Sequence, residues 1–453
     1  MPDIIIVGAG PAGIAAAEVL AEHGQKPILL DEGRRAGGQG YRRPAPELAL
    51  DMDPLLGSES GKYRRLHERF AALRERIDYR PETLAWNVSE GEVFTLSGDV
   101  IRACRYDALI LATGAVDRIM PVKGWQLSGV YTLGGAQVML KDQGCLIGKR
   151  VLFCGSSPLL YLAALQYRMM GAEIAAVLDT TPFARKLAAL PKLAAHVPIL
   201  IRGLKYLAKL RRDGVAVRYG VRLLEFAGGD TVQSVRYRDA AGVEQRVPCD
   251  AVAFGFGLRS ETQLADLAGV EVTYDPVFRQ FLPKSDPDGR CGNGVYVAGD
   301  GATIGGADAA ELSGRLAGLA LLDDRGIAVP PDEIARLRRE LGRYRRFQQG
   351  LAAAFAWPAE RVGEIGDEVT VCRCEGITAG TLRQTAHAEF GGREINRAKA
   401  LTRTGMGRCQ GRFCGLAASE IAAAALGRPH GEIGRLRGQA PVKPLPMSAR
   451  LAE

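Results

Sequence analysis

An α/β fold on parallel, doubly wound sheets is what this sequence predicts, and three observations carry the prediction. Apolar strand-like runs alternate with helical patterns from Ile4 to about Leu322, the order that builds parallel sheets. Two strand–turn–helix–strand units stand inside that alternation, one opening at Ile4 and one at Arg150. From about Val369 the pattern changes, and four of the nine cysteines gather there. A length of 453 residues suits two to three domains. With 47% hydrophobic and 24% charged residues, the composition is that of a globular chain with a large core.

The first unit runs strand (Ile4-Ile5-Ile6-Val7), glycine turn, alanine-rich helix (about Gly13 to His23) and strand (Pro27 to Leu30). Gly24 ends the helix as a C′ glycine does. The turn Gly8-Ala9-Gly10-Pro11-Ala12-Gly13 fits G-x-G-x-x-G. The first glycine makes the tight turn, the second admits a pyrophosphate close to the backbone, and the third lets helix and sheet meet. The helix N-terminus then faces the phosphates. Asp31 ends the second strand, where a carboxylate can accept ribose hydroxyls; Glu32 is the alternative.

Three further motifs point to FAD as the dinucleotide. Gly37-Gly38-Gln39 follows the second strand, where it could pass over an isoalloxazine ring. Ala112-Thr113-Gly114 ends a buried strand that starts at Ala108. The strand Val295–Ala298 ends in Gly299-Asp300, ahead of a helix expected from about Ala309. Asp300 could accept a ribityl hydroxyl and the helix N-terminus could face the N1–C2=O edge of a flavin; alone, Asp300 reads equally as an N-cap.

Between these motifs, residues 34–64 read as loops, Leu66 to Arg76 as a helix, and Thr83 to Leu96 as a small meander. The second unit has its strand at Arg150–Cys154 and its turn at Gly155-Ser156-Ser157-Pro158-Leu159-Leu160. Only the first glycine survives there. Ser157 stands where a side chain would crowd a pyrophosphate, so the unit is expected to keep the fold without efficient NAD(P)H use. Residues 183–213 read as basic amphipathic helices broken by Pro191 and Pro198, and 332–349 as an arginine-rich helical linker. The domain reading is therefore a first unit at 1–118, an inserted second unit at 119–250, the first unit resumed at 251–330, a linker at 331–368, a small unit at 369–430 and a mobile tail at 431–453.

Cys372-Arg-Cys374 and Cys409-Gln-Gly-Arg-Phe-Cys414 space the cysteines as C-x-C, thirty-four residues, then C-x₄-C. Four thiolates are the ligand set of a [2Fe-2S] cluster, and equally of a structural Zn²⁺ site; iron–sulfur is the reading adopted. Gly405, Gly407 and Gly411 permit tight turns, and their N–H groups can donate to cluster sulfurs. Arg373, Arg408 and Arg412 add positive charge. Cys104, Cys145, Cys154, Cys249 and Cys291 are scattered and read as small buried apolar side chains.

The net charge of +8 is dispersed, and no basic–aromatic recognition motif argues for nucleic acid. No run of about 18 or more apolar residues could span a bilayer, and no signal peptide is read at the N-terminus. A cytoplasmic protein is expected, with the basic helices at 183–213 and 332–346 read as solvated faces and a docking surface for a subunit or a membrane as the lesser alternative. The five histidines form no catalytic motif and are expected at surfaces and helix ends.

On the glycine motifs, residues 1–325 resemble two-dinucleotide-fold flavoproteins of the thioredoxin-reductase-like class. That resemblance implies an FAD domain split by an inserted NAD(P)-type domain. No Cys-x-x-Cys lies in this stretch, so disulfide reduction is not expected. On the cysteine spacing and Gly-Met-Gly-x-Cys-Gln-Gly-Arg, residues from about 369 to 425 resemble the bacterioferritin-associated-ferredoxin-like [2Fe-2S] domain. Together these resemble the α-type subunit of bacterial amine or imino-acid dehydrogenases, the group of opine oxidase, D-hydroxyproline dehydrogenase and hydrogen cyanide synthase subunits. The resemblance implies a partner β subunit, D-amino-acid-oxidase-like, that oxidises a C–N bond. It also implies FMN at a subunit interface, a small ferredoxin-like γ subunit, and in some relatives a different nucleotide in the first site. An NAD(P)H-dependent ferredoxin-type reductase and a Zn²⁺-bearing scaffold are the competing readings.

Overall fold

The computed structural model describes residues 3–452. Its first sheet has six strands, in the order Arg290–Gly292, Val295–Val297, Ala108–Leu111, Ile4–Val7, Ile28–Leu30 and Asp78–Arg80. All neighbours are parallel except the first pair. Ile4–Val7 is central, pairing Ile5 with Ile28 and Ile4 with Ala108, and is buried on both faces, as parallel sheets require. The helices Pro11–Glu22 and Ala307–Asp324 share one face of it. They meet at backbone distance: a Cβ on Gly314 would lie 2.0 Å from Ala12 O. The antiparallel meander Thr83–Ser89, Glu92–Ser97 and Val100–Arg105 supplies residues to the core on the other face.

The second sheet has five parallel strands, in the order Val217–Tyr219, Glu173–Asp179, Arg150–Gly155, Ala251–Gly255 and Val130–Thr132. Ala251–Gly255 thus belongs to the inserted unit, beyond the boundary expected at residue 250. Its register explains this: Val151 pairs with Ala251 and Val252 with Val130, so the strand lies inside the second sheet. The chain returns to the first unit through a two-stranded connector, Ala115–Asp117 against Leu258–Ser260. Pro191 and Pro198 do not simply break the basic segment. Each sits in the first turn of a new helix, Leu190–Leu193 and Val197–Arg212, where a missing N–H costs nothing.

The linker is one helix, Pro331–Ala354. The C-terminal unit has a short hairpin (Thr370–Cys372 with Ile377–Thr378) and the helices Ala379–His387, Ile395–Thr402, Gly415–Leu426 and His430–Ile433. Its core is continuous with that of the second unit, through Trp125, Phe254 and Ile421 among others. Trp125 Nε1 donates to Thr370 O at 2.6 Å across the seam.

The last residues are not the free tail expected from their prolines. Val442 is buried, its N–H donating to Trp86 O at 3.0 Å. Lys443 pairs with Glu32. Arg450–Leu451 adds a parallel strand to the edge of Val100–Arg105.

Candidate functional site

The sequence-predicted nucleotide motifs converge at the C-terminal ends of the first sheet's strands. Gly8 has φ +108°, and a Cβ there would stand 2.3 Å from Ala112 O. A Cβ on Gly13 would stand 1.8 Å from Gly8 O. Both positions therefore demand glycine for the turn itself. Gly10 is different, because a Cβ there meets only Gly38 Cα at 3.7 Å. Its open side is the space a pyrophosphate needs. The loop with Gly38 and the exposed Gln39 folds back onto the first: Gly37 N–H donates to Ala9 O at 2.8 Å. Pro11 and Ala12 open the helix whose N-terminus faces this opening.

Asp31 lies beneath the loop, accepting the N–H of Ala9 at 2.5 Å and of Gly33 at 2.6 Å. Burial raises its pKa above the ordinary carboxylate value. Glu32 points outward to Lys443. Asp300 accepts the N–H groups of Gly305 and Gly306, at 2.8 and 2.9 Å, both on Oδ1; burial raises its pKa too. No protein group among the described residues takes its Oδ2. Gly299 (φ +66°) abuts Ala12, and a Cβ on Gly301 would stand 2.8 Å from Thr113 Oγ1. The strand ends at Ala112 and Asp300 are thereby locked against the first loop. The helix begins at Ala307, two residues before the sequence-predicted start, after a loop that Asp300 holds.

In the second unit the turn is tight, since Gly155 has φ +123° and a Cβ would stand 2.0 Å from Gly255 O. Ser156 and Ser157 are fully buried. Ser156 Oγ bonds Thr181 Oγ1 at 2.7 Å, and Ser157 Oγ accepts Leu159 N–H at 3.2 Å. Both hydroxyls are used within the protein.

The four clustered cysteines also come together. Cys372 ends a hairpin strand, Cys374 follows in its turn, Cys409 sits in the next loop, and Cys414 starts the Gly415–Leu426 helix. Cys372 and Cys414 are buried, while Cys374 is exposed. The Cys414 thiol lies near enough to Cys372 and Cys409, and Cys409 near enough to Cys374, for each to influence the other's ionisation. The Cys414 thiol, with the N–H groups of Gly405 and Glu375, lowers the Cys372 thiol to about 6 against the opposing effect of burial. Cys409 is lowered by Cys414 and by the N–H groups of Phe413 and Gly411. Cys414 in turn is raised, and desolvation raises Cys374. A Cβ on Gly407 would stand 2.2 Å from Cys374 Cβ, so glycine is what lets the two loops meet. Among the described residues no group of three or more His, Cys, Asp or Glu gathers around one ion-sized point. The four thiols neighbour one another in series, Cys372 to Cys414 to Cys409 to Cys374. Four neighbouring thiols are by their chemistry a donor set that a [2Fe-2S] group or a Zn²⁺ ion could take.

Two residues beside the thiols were invisible as motifs. Arg259, on the connector strand, is held close enough to Cys414 and Cys409 to interact with both. Glu261 links the two candidate sites: its carbonyl accepts Thr113 Oγ1 at 2.6 Å and its carboxylate takes Arg412 at 2.6 Å. Arg412 lies between Cys409 and Cys414 in sequence, so the Thr113 strand end and the cysteine loop are two contacts apart. Arg373 stacks over Trp125 at 4.7 Å. His67 and His430, expected near surfaces, are buried. His430 Nε2 bonds Ser419 Oγ at 2.7 Å, and Glu420 beside it is held by Arg279 at 2.8 Å. No helix among the described residues is long and apolar enough to cross a membrane.

Split parallel sheets, a glycine loop open at Gly10 and paired strand-end motifs define a two-dinucleotide-fold, flavin-dependent oxidoreductase. Residues 2–314 match the pyridine nucleotide-disulphide oxidoreductase family and residues 370–453 the sarcosine oxidase A3 domain. The chain belongs to the pyridine nucleotide-disulphide oxidoreductase family, with A-type opine oxidase subunits and the hydrogen cyanide synthase subunit HcnB as full-length homologues. It is 36% identical to the A-type opine oxidase subunit of Rhizobium meliloti, over 100% of this chain and 86% of that protein. To HcnB of Pseudomonas protegens it is 31% identical, over 98% of this chain and 96% of that protein. The solved L-proline dehydrogenase from P. horikoshii aligns over 99% of this chain and 79% of that one, with a TM-score of 0.70 at 21% identity. T. acidophilum thioredoxin reductase aligns over 72% and 98%, with a TM-score of 0.52 at 21% identity. These two likenesses concern the fold.

Proposed function

We propose that this chain is the FAD- and [2Fe-2S]-bearing electron-transfer subunit of a hetero-oligomeric amine or imino-acid dehydrogenase of the opine type. The observation that carries the reading is the Thr113–Glu261–Arg412 link between a dinucleotide site and a four-thiol centre on one chain. FAD supplies two-electron transfer and a [2Fe-2S] cluster one-electron transfer, so one chain holding both couples the two kinds of step. Gly8, Gly10 and Gly13 shape the pyrophosphate cradle; Asp31, rather than Glu32, takes the adenosine ribose; Asp300 offers Oδ2 to the ribityl chain. Cys372, Cys374, Cys409 and Cys414 ligate the cluster, with backbone N–H groups of Gly405 and Gly411 stabilising thiolate charge.

The relatives named as subunits support a partner. Oxidation of the C–N bond falls to a D-amino-acid-oxidase-like β subunit, with FMN at the interface and a small γ subunit completing the assembly. The basic helices at 183–212 are a candidate docking face. A cytoplasmic location accords with this reading. The buried hydroxyls of Ser156 and Ser157 weigh against the NAD(P)H-dependent reductase reading. The test is a reductive titration of the anaerobic protein with parallel flavin, iron and zinc assays. Uptake of about three electrons per chain, two by FAD and one by the cluster, is expected. Uptake of about two, with zinc and no iron, would overturn the cluster assignment. Full-rate opine oxidation by the isolated chain would overturn the partner.

A further inference from the structure

The linker helix Pro331–Ala354 and the turn after it lie across the second unit, over the place where a dinucleotide fold receives its ligand. Asp179 ends the strand Glu173–Asp179, the position from which a carboxylate takes the adenosine ribose in such folds. Here it is fully buried and already committed. Tyr161 Oη donates to it at 2.5 Å, Thr181 N–H at 2.8 Å, and Lys186 Nζ lies at 2.7 Å. Lys186 is in turn capped by the linker, donating to Ala354 O at 3.1 Å and sitting 3.6 Å from the centre of the Phe355 ring. The protein's own side chains fill the ribose position.

What remains of the cleft is a cavity of about 340 Å³ between the Ser157–Leu159 turn and the linker, at the small end of the range for ligand sites. Its walls are aromatic, with Phe256, Phe278, Phe355 and Trp357. Its charge is positive. Arg118 is 7% exposed, stacks 4.3 Å over the Trp357 ring, and donates only to the carbonyls of Phe278 and Arg279. Its Nε has no partner, and no carboxylate among the described residues reaches it as an ion pair. Burial lowers its pKa to about 9. Arg279 on the same wall is already neutralised by Glu420. Arg185 at the rim is exposed and unpaired among the described residues; Glu360 is the single acid in the lining. Glu420, already paired with Arg279, acts on Arg118 only from beyond ion-pair distance; a buried guanidinium with no carboxylate in contact is costly, and an anion brought in from outside offsets that cost.

We propose that this cavity binds a small amphipathic organic anion, a carboxylate on an aromatic or branched apolar body, in place of a nicotinamide dinucleotide. Arg118 and Arg185 take the carboxylate, and the ring wall holds the body. The proposal goes beyond the electron-transfer role and does not depend on it.

Calorimetric titration of the holoprotein with 2-naphthoate, its neutral amide 2-naphthamide and NADH tests it. Saturable binding of naphthoate is expected, with the amide weaker by about tenfold or more, the size of a lost charge-assisted hydrogen bond. Arg185→Gln, at an exposed position that does not threaten the fold, should weaken naphthoate and leave the amide unchanged. Binding should change tryptophan emission in the wild type and not in Trp357→Phe. Equal affinity for acid and amide, no saturable naphthoate binding, or displacement of naphthoate by NADH would each overturn the proposal.

Discussion

Gly10→Ala separates the fold from the ligand, because nothing in the protein itself needs that glycine. Its backbone, φ −81° and ψ −175°, is extended and open to alanine, and the new methyl would meet only Gly38 Cα at 3.7 Å. Replacing glycine where the conformation allows it stabilises a protein by about 0.4–1 kcal/mol, through a less free unfolded chain. The apoprotein should therefore be as stable as the parent, or slightly more so. If the open side of Gly10 receives the FAD pyrophosphate, the methyl intrudes on a close contact. Overfilling a fitted space costs about 1–3 kcal/mol, which is a loss of about 5- to 150-fold in affinity. Deflavinated protein titrated with FAD, read by flavin fluorescence, measures that loss; urea unfolding of the apo forms checks the fold. Gly13→Ala is the contrast, since its methyl would stand 1.8 Å from Gly8 O and must break the turn. Unchanged FAD affinity in Gly10→Ala, with a sound fold, would refute the placement of the pyrophosphate.

The remaining expectations concern the C-terminal unit and its attachment. Cys372→Ser or Cys409→Ser should lose iron and acid-labile sulfide while keeping the flavin; retention of about two iron per chain would remove that residue from the ligand set. Glu261→Gln breaks a largely buried ion pair with Arg412 and should destabilise the docked C-terminal unit by about 3 kcal/mol, seen as earlier proteolysis of that unit; an unaltered cleavage rate would count against it. Burial lowers His430 from 6.5 to about 4. The folded state therefore binds the proton more weakly than the unfolded one. Stability fully present above pH 6.5 should be lost as pH falls towards 4, by up to about 3 kcal/mol. His430→Gln should flatten that slope in acid-unfolding curves; parallel curves for both proteins would exclude His430 as the source.

What could be read from sequence was what local chemistry decides. The glycines at 8 and 13 are demanded by backbone contacts within the turn and with the neighbouring strand end, so the motif and the structure coincide there. The cysteine pairs are likewise close in sequence. That Asp31 lies beneath the glycine loop while Glu32 pairs with Lys443, 411 residues away, was not legible, because both placements depend on partners outside the motif. Nor was the true edge of the inserted unit, since Ala251–Gly255 reads as a buried strand in either sheet and only its partners assign it. Arg259, Glu261 and Arg118 carry no motif. They matter through neighbours from distant parts of the chain, and a lone arginine in sequence does not reveal that it will be buried without an acid. The proline-rich tail misled because composition suggests freedom, whereas Val442 finds an apolar socket and the last strand finds an open edge.

That last strand has a consequence of its own. By lying along Val100–Arg105, Arg450–Leu451 occupies backbone donors and acceptors that would otherwise face water at the rim of the meander. A bare rim of that kind is a template for another chain. A form of the protein shortened after Pro446 would keep Val442, Lys443 and every loop of both candidate sites, yet it would expose that rim. Such a form is expected to self-associate through the meander, edge to edge, so the terminal residues act as a guard against aggregation.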